Sequence, residues 1–361
     1  MKKVIILLLI MALSVSIVFA TASCKKEVAV ETTAVATTAA ATTAAETTAA
    51  ATTAAPAVEY KIAVYFPSAH PYFESVKKGL SKFTEDFGVE VYIQLGTDWT
   101  QDTENIFLEG LVADGYNAIL TIGMDPSGTN AIIEEIAAEG VPVINYATTV
   151  GDPTPAAFNL ATNVKAAAMA STEEVIKGMG EKGGLLDILE YVEDPNTVLR
   201  REGVEEVVAK YPDVKVVQTI GDMNAIEECT EKINNALAAL GDEVNGMVTT
   251  GYNPTVASAQ ILTEMKNSKI SYVGIDDDPI VLETIKNGYM IGSFGQNPYY
   301  QGYVGCWLLK QILDGKILKQ NSNFIDTYGV IIKKDNLDTF ADELWKAATD
   351  AVSGGLDKYF E

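Results

Sequence analysis

Short apolar runs rich in β-branched residues alternate with amphipathic helical segments from residue 60 almost to the end of the chain. An alternation of this kind favours parallel sheets with helices packed on both faces. In the first helical segment the apolar residues recur three or four apart, as on one helix face: Phe73, Val76, Leu80, Phe83 and Phe87. The predicted strands are residues 61–66, 89–93, 118–122, 141–144, 185–189, 214–217, 246–249, 271–275 and 290–294. The sequence therefore predicts an α/β protein with two doubly wound parallel-sheet lobes of similar size.

The first residues have the pattern of an export signal. Lys2 and Lys3 precede an apolar run over residues 4–20, and Thr21-Ala22-Ser23-Cys24 follows it. The run is shorter than the about 20 apolar residues that a membrane-spanning helix needs. This segment resembles the lipobox of bacterial lipoproteins, which implies a signal peptide over residues 1–23 and a lipid on Cys24. Ordinary signal cleavage and a retained anchor are the alternatives.

A segment of low complexity separates this signal from the folded part of the chain. Residues 27–58 are almost entirely Ala, Thr and Val with a few Glu, and they include no aromatic residue. Such a composition cannot bury a hydrophobic core. We therefore predict that residues 24–58 form a flexible tether and that the function lies in the residues after it.

The charge balance and the scarcity of two residue types exclude several classes of protein. Lys and Arg number 26 against 49 Asp and Glu, which gives a net charge of −23, the wrong sign for a nucleic-acid partner. One His and three Cys are too few for a His-rich zinc site or a disulfide framework, so we expect no metal and no cofactor. Cys229 and Cys306 lie in apolar stripes at helical spacing, which predicts buried free thiols; a disulfide between them is the alternative.

Polar and aromatic residues follow several of the predicted strands. Ligands of open parallel sheets bind beyond the carboxyl ends of the strands, so these residues are candidates for a binding site. Together they provide an imidazole, aromatic rings, amides and carboxylates, a set that suits the hydroxyl groups and the apolar face of a sugar ring. The segments are residues 67–73, 250–254, 275–279 and 295–299.

These segments resemble the type I periplasmic binding proteins of ABC importers, specifically the monosaccharide cluster of ribose and glucose/galactose binders. His70-Pro71-Tyr72-Phe73 looks like the family's polar-Pro-aromatic-aromatic motif, and Arg200 stands where the family has a ligand-binding Arg before a Gly-Phe pair. The resemblance implies these ligand-binding residues: His70, Tyr72, Phe73, Arg200, Asn253, Asp276 and Gln296. The family commonly ends its fourth strand with a sugar-binding Asp, and this chain has Ala147 there.

Three of these assignments have structural alternatives. Phe73 also belongs to the apolar stripe of the first helix, so it is equally a candidate for the core. Arg200 and Arg201 stand about 100° apart on a helix, so we expect only one of them to face the site. Asp276 is assigned to the ligand, whereas Asp278 precedes Pro279 and is predicted to cap a helix.

The resemblance also implies an architecture and a function. A three-segment hinge near residues 160–164, 294–298 and 322–327 would divide the chain into one lobe of residues 59–160 plus 298–322 and another of residues 161–297 plus 323–361. The expected protein is a monomer anchored to the cell envelope by its lipid alone. By hinge closure it would capture a monosaccharide or similar polyhydroxylated solute for an ABC permease. No nucleophile elbow and no zinc-protease motif occurs, so we expect no enzyme activity. A sensor for a chemoreceptor, and a nucleoside, inositol or autoinducer ligand, are the alternatives.

Overall fold

A computed structural model describes residues 58–361 of the protein, with the exception of residue 322. The predicted signal peptide, the lipid attachment at Cys24 and the tether up to residue 57 lie outside the described residues. None of the helices in the described part is long and apolar enough to cross a membrane.

The described residues form alternating strands and helices. The strands are β1 Ile62–Phe66, β2 Val91–Leu95, β3 Ala118–Thr121, β4 Val143–Tyr146, β5 Phe158–Ala161, β6 Gly183–Ile188, β7 Val214–Ile220, β8 Val244–Thr249, β9 Ser271–Ile275, β10 Gly292–Gly295, β11 Asn323–Asp326 and β12 Val330–Ile332. The α-helices are α1 Pro71–Phe87, α2 Gln101–Ala113, α3 Pro126–Ala138, α4 Val164–Gly178, α5 Pro195–Val208, α6 Ile226–Leu240, α7 Tyr252–Glu264, α8 Pro279–Asn287, α9 Pro298–Leu313 and α10 Phe340–Asp350.

The strands make two six-stranded sheets, each the centre of one lobe. The first lobe has the strand order β11-β5-β4-β3-β1-β2, with every neighbouring pair parallel. The second lobe has the order β12-β10-β9-β8-β6-β7, in which only β12 is antiparallel to its neighbour. The predicted fold of two doubly wound α/β lobes is confirmed.

Several helices begin with the same local device, a hydrogen-bond acceptor followed by proline. At α1, α3, α5, α8 and α9 the residue before the first helical proline accepts a hydrogen bond from a free backbone N–H of the first turn. Proline suits this position because its missing N–H would have no partner there, and the acceptor satisfies one of the remaining donors. At these five helices the capping residue and the proline therefore fix where the helix begins after the preceding strand.

Three connections of the described chain form the hinge between the lobes. The passages lie between β5 and α4, between β10 and α9, and between β11 and β12. The first and third are bonded to each other, because the backbone N–H of Asn163 donates to Asp326 Oδ1 at 3.2 Å and that of Thr327 donates to the Ala161 carbonyl at 3.1 Å. Two of the three hinge connections therefore run side by side and are bonded to each other.

The end of the chain differs from the predicted division of the lobes. Residues 323–326 were assigned to the second lobe, but they form β11 and pair with β5 of the first lobe. The last residues also return to the first lobe, where Phe360 bridges to Leu318, and both Leu356 and Phe360 are buried in its core. The physical reason for β11 is the open edge of β5, whose unpaired backbone groups these four residues satisfy.

The two cysteines of the described part occupy different lobes. Cys306 is buried in the core of the first lobe and Cys229 in that of the second, and both are free thiols. The predicted buried free thiols are confirmed. Burial raises the pKa of the Cys229 thiol to about 12, as expected for a thiol that takes no part in chemistry.

Candidate ligand-binding site

A cavity of about 490 Å³ lies between the two lobes, at the carboxyl ends of their strands. The first lobe contributes residues that follow β1 to β4, and the second lobe contributes residues that follow β6 to β9. Gln296, in the passage between β10 and α9, contributes from the hinge. The cavity therefore lies where the topology of parallel sheets places ligands.

The lobes touch each other beside the cavity. The imidazole of His70 meets the Tyr252 ring across the cleft, with ring centroids 5.0 Å apart and planes 68° apart. Thr149 Oγ1 of the first lobe donates to Asn196 Oδ1 of the second at 3.1 Å. These contacts define a closed arrangement, in which groups of both lobes line one cavity.

His70 caps helix α1 and lines the cavity with the other side of its ring. Its Nδ1 accepts a hydrogen bond from the backbone N–H of Tyr72 at 3.2 Å. Burial lowers the pKa of the imidazole, so it is neutral at pH 7 and carries its single proton on Nε2. His70 is thus prepared to donate one hydrogen bond.

Tyr72 lines the cavity, but its neighbour Phe73 does not. The Tyr72 hydroxyl donates to Gln301 Oε1 at 2.5 Å, which leaves the hydroxyl oxygen as an acceptor. Phe73 is 1% exposed and stacks on Phe66 at 4.6 Å, below the cavity wall. The assignment of Phe73 to the ligand is wrong because the helical stripe takes this ring into the core.

Trp99 contributes an aromatic ring to the cavity wall, the role that the family resemblance predicts for Phe73. It follows β2, lines the cavity and stacks on Phe73 at 5.9 Å. Its Nε1 donates to Ser68 Oγ at 2.7 Å, so the indole offers the ligand only its apolar ring. The rule that ligands bind beyond strand ends covers this loop, but a single Trp carries no motif that would select it.

Of the two adjacent arginines, only Arg200 lines the cavity. Its Nε is buried and has no hydrogen-bond partner among the described residues, none of which forms an ion pair with it. Arg201 points outward, where its Nε donates to Glu205 at 2.9 Å. A buried guanidinium donor without a partner is costly, so Arg200 is a strong candidate for contact with a ligand.

Asp276 lies at the end of β9 in a left-handed backbone conformation, with φ of 67°. Its Oδ1 accepts from Gln296 Nε2 at 2.8 Å. Burial raises the pKa of this carboxyl to about 6, and the Gln296 hydrogen bond opposes the shift. Two residues later Asp278 accepts from the backbone N–H of Ile280 at 2.8 Å, so the predicted helix cap is confirmed.

The orientation of the Asn253 amide follows from its partners. Asn253 Nδ2 donates to Glu190 Oε1 at 2.8 Å and to the Asn224 carbonyl at 2.9 Å. Both partners accept only, so the reversed amide would place oxygen against oxygen. Asn253 therefore presents its Oδ1 as an acceptor. Glu190 also lines the cavity and was missed, although it follows β6 as the strand-end rule requires.

The chain was compared with families of known proteins. Residues 62–317 match the model of the periplasmic binding protein domain, which is well over half of the chain. The chain belongs to this family. The predicted membership of the type I periplasmic binding proteins is confirmed.

The names of relatives of this periplasmic binding protein describe the binding or import of sugars and polyols. It is 22% identical to a xylitol-binding protein of Mycolicibacterium smegmatis over 73% of this chain and 74% of the relative. It is also 22% identical to a D-apiose import binding protein of Actinobacillus succinogenes, over 66% and 76% respectively. An ABC transporter solute-binding protein of Burkholderia graminis, solved with D-arabinose, has the same fold, with a TM-score of 0.71, 22% identity and coverage of 78% of this chain and 98% of that one.

Proposed function

We propose that this protein captures a neutral monosaccharide or similar small polyhydroxylated solute in the cleft and delivers it to an ABC permease. The observation that carries the proposal is the cavity between closed lobes, into which Asp276 brings a carboxylate and Arg200 a buried donor that has no partner in the described part of the chain. His70, Tyr72, Asn253 and Gln296 are the further proposed contacts. The ligands in the names of the relatives support the same class of solute.

The donors and acceptors of the cavity suit hydroxyl groups. His70 and Arg200 donate, whereas Tyr72 and Asn253 accept because their own protons are already bonded within the protein. A hydroxyl group donates one hydrogen bond and accepts others, so it can meet both kinds of partner. A sugar or polyol with several hydroxyls can therefore satisfy this mixed set.

The charges of the cavity favour a neutral solute over an anionic one. Glu190, Asp194 and Asp276 stand against one cation, Arg200. An anionic sugar acid or sugar phosphate would bring another negative charge into this excess, at a cost that a partly buried site does not screen.

The mechanism that we propose is hinge closure. Groups of both lobes can reach one ligand only when the lobes close, so the ligand binds the closed form more tightly and increases its population. The permease would then distinguish loaded from empty protein by the relative position of the lobes.

A thermal-shift screen of the full-length chain against monosaccharides, polyols and nucleosides tests the proposed function. A ligand at about 100 times its dissociation constant stabilises the folded state by about 2.7 kcal/mol, enough for a clear shift. We expect a shift with at least one monosaccharide or polyol. A shift with nucleosides alone, or with no compound, would overturn the proposal.

We further propose that the protein is an exported monomer held to a membrane of the cell envelope by a lipid on Cys24. Incorporation of labelled palmitate and sedimentation with the membrane fraction should both be lost in the Cys24→Ser variant. Retention of the label in that variant would refute lipidation at this cysteine. Size-exclusion chromatography in detergent should give one chain per particle.

A further inference from the structure

One part of the cavity wall belongs to the first lobe and follows strands β3 and β4. We call it the β3–β4 floor; it consists of Ile122, Gly123, Met124, Ala147 and Thr148. It carries no charged side chain. Among the described residues that line the cavity, the charged side chains all come from the second lobe, and they are Glu190, Asp194, Arg200 and Asp276.

The backbone N–H groups at the end of β3 are bonded within the protein. The backbone N–H of Gly123 donates to Asn145 Oδ1 at 2.8 Å, and its carbonyl accepts from Thr148 Oγ1 at 2.8 Å. The backbone N–H of Met124 donates to Glu104 Oε2 at 3.2 Å. The donors that the end of β3 would offer a ligand are therefore occupied.

The end of β4 shows the same arrangement. The backbone N–H of Ala147 donates to the Leu160 carbonyl at 2.8 Å, and that of Thr148 donates to the Tyr146 carbonyl at 2.8 Å. The Thr148 carbonyl accepts from Asn145 Nδ2 at 2.7 Å. The other floor side chains, those of Ile122, Met124 and Ala147, carry no N–H or O–H donor, and the Thr148 hydroxyl already donates to the Gly123 carbonyl.

Two fully buried polar side chains hold this floor from behind. Glu104 and Asn145 are both 0% exposed. Glu104 also accepts from Thr121 Oγ1 and Thr129 Oγ1, each at 2.9 Å, which offsets the cost of burying its charge. Because these partners are buried and bonded on several sides, the floor cannot turn its N–H groups toward a ligand without breaking them.

The opposite wall has unused hydrogen-bonding capacity. In the described part of the chain Arg200 Nε has no partner, and Asp276 has a hydrogen bond on Oδ1 alone. Asn253 presents its amide oxygen. A ligand of this cleft therefore meets open polar groups on the second lobe and a floor on the first lobe whose donors at Gly123, Met124, Ala147 and Thr148 are occupied.

We propose, on the basis of the proposed function, that the ligand is a deoxy sugar or deoxy polyol, which places a methyl group or C–H groups against the β3–β4 floor. A hydroxyl group there would lose its water and find no free donor, whereas a carbon group would bury apolar surface against Ile122, Met124 and Ala147. The hydroxyls of the ligand then lie toward Arg200, Asn253 and Asp276.

Calorimetric titration of the full-length chain with matched pairs of sugars tests this specificity. The pairs are 6-deoxy-D-glucose with D-glucose, L-rhamnose with L-mannose, 5-deoxy-D-ribose with D-ribose, and 2-deoxy-D-ribose with D-ribose. In the pair that binds, we expect the deoxy compound to bind about 10- to 100-fold more tightly, the range that one unpaired hydroxyl costs.

A variant at Ala147 and a matched control provide the comparison. Ala147 has a φ of 65°, in the left-handed region that Asn adopts more readily than Ala, so Ala147→Asn should unfold at or above the temperature of the wild type. Ala147→Asn adds a polar group to the floor and should reduce the preference for the deoxy compound at least about tenfold. The control is Glu181→Asn, which places the same residue at another left-handed position, with a φ of 61°, that does not line the cavity, and it should leave the preference unchanged.

The outcomes separate this inference from the proposed function. If the wild type binds the fully hydroxylated parents as tightly as the deoxy sugars or more tightly, the inference is wrong while sugar capture stands. An unchanged preference in Ala147→Asn also overturns it. If the wild type binds no sugar or polyol of any kind, the proposed function fails, and the inference fails with it.

Discussion

Replacing Asp276 by Asn should weaken ligand binding and stabilise the unliganded protein at the same time. Gln296 Nε2 donates to Asp276 Oδ1 at 2.8 Å, so in the variant it should hold the amide oxygen in that place and turn the amide NH₂ to the ligand. A charged acceptor is thereby replaced by a donor. Hydrogen bonds to charged groups contribute about 1.5–3 kcal/mol, which corresponds to binding weaker by about 10- to 150-fold.

The gain in stability follows from the raised pKa of the same carboxyl. Its pKa is about 6 in the folded protein against an ordinary value of 3.8. The folded state therefore binds the proton more tightly than the unfolded state does, and the stability of the wild type falls as the pH rises from about 4 to about 6. Above that window the charge costs about 3 kcal/mol, at 1.36 kcal/mol per pKa unit. Asn removes this cost, and it tolerates the φ of 67° at this position.

Thermal unfolding at pH 7.5 and pH 4 measures this effect. At pH 7.5 the Asp276→Asn variant should unfold several degrees above the wild type, at about 2 °C per kcal/mol for a chain of this size. At pH 4 most of the difference should disappear, because the wild-type carboxyl is then protonated. Asp335→Asn, which removes an exposed charge of the same lobe, is the control and should change little at either pH. The reasoning is refuted if Asp276→Asn gives no gain at pH 7.5, an equal gain at pH 4, or unchanged affinity.

Four further expectations concern the site and the core. Arg200→Ala should weaken ligand binding about 30-fold or more in calorimetric titration, as loss of a buried charged donor does, while Arg201→Ala should bind like the wild type. Affinity should fall as the pH drops below about 6, because Asp276 becomes protonated; a flat profile from pH 7.5 to 5 would contradict its role as an ionised acceptor. Phe73→Ala should destabilise the protein by about 3–5 kcal/mol in denaturant unfolding, which a ring that only contacts the ligand would not do. Deleting residues 356–361 should lower the unfolding temperature but spare affinity in the protein that remains folded, because these residues pack on the first lobe far from the cavity; unchanged stability would contradict that packing.

The fold was largely predictable because strands and helices of ordinary length carry their periodicity in the local sequence. The predicted strands missed β5, β11 and β12, which have four, four and three residues. A segment that short shows too few alternations to separate it from a loop. β11 becomes a strand because β5 leaves an open edge beside it, and that edge exists only in the assembled sheet.

The candidate site was predictable where a motif combined with a strand end. His70, Arg200, Asn253, Asp276 and Gln296 all line the cavity. The apolar helical stripe predicts that Phe73 lies in the core, whereas the family motif predicts that it contacts the ligand. In the structure the ring is buried in the core. Glu190 and Trp99 belong to no family motif, so nothing in the sequence distinguishes them from other polar and aromatic residues near strand ends.

The sequence by itself determined the class of fold and the end of the sheets at which the polar residues gather, because both follow from local periodicity and from the geometry of parallel strands. It also singled out Ala147 as a departure from the family pattern. Only the tertiary structure decided which hydrogen-bonding atoms remain free for a ligand. Whether a donor or acceptor is free depends on all of its neighbours in the folded protein. Glu104 and Asn145, which lie in other segments of the chain, occupy the N–H groups of Met124 and Gly123 in the β3–β4 floor. The polarity of the site is therefore a property of packing, which no single segment of the chain contains.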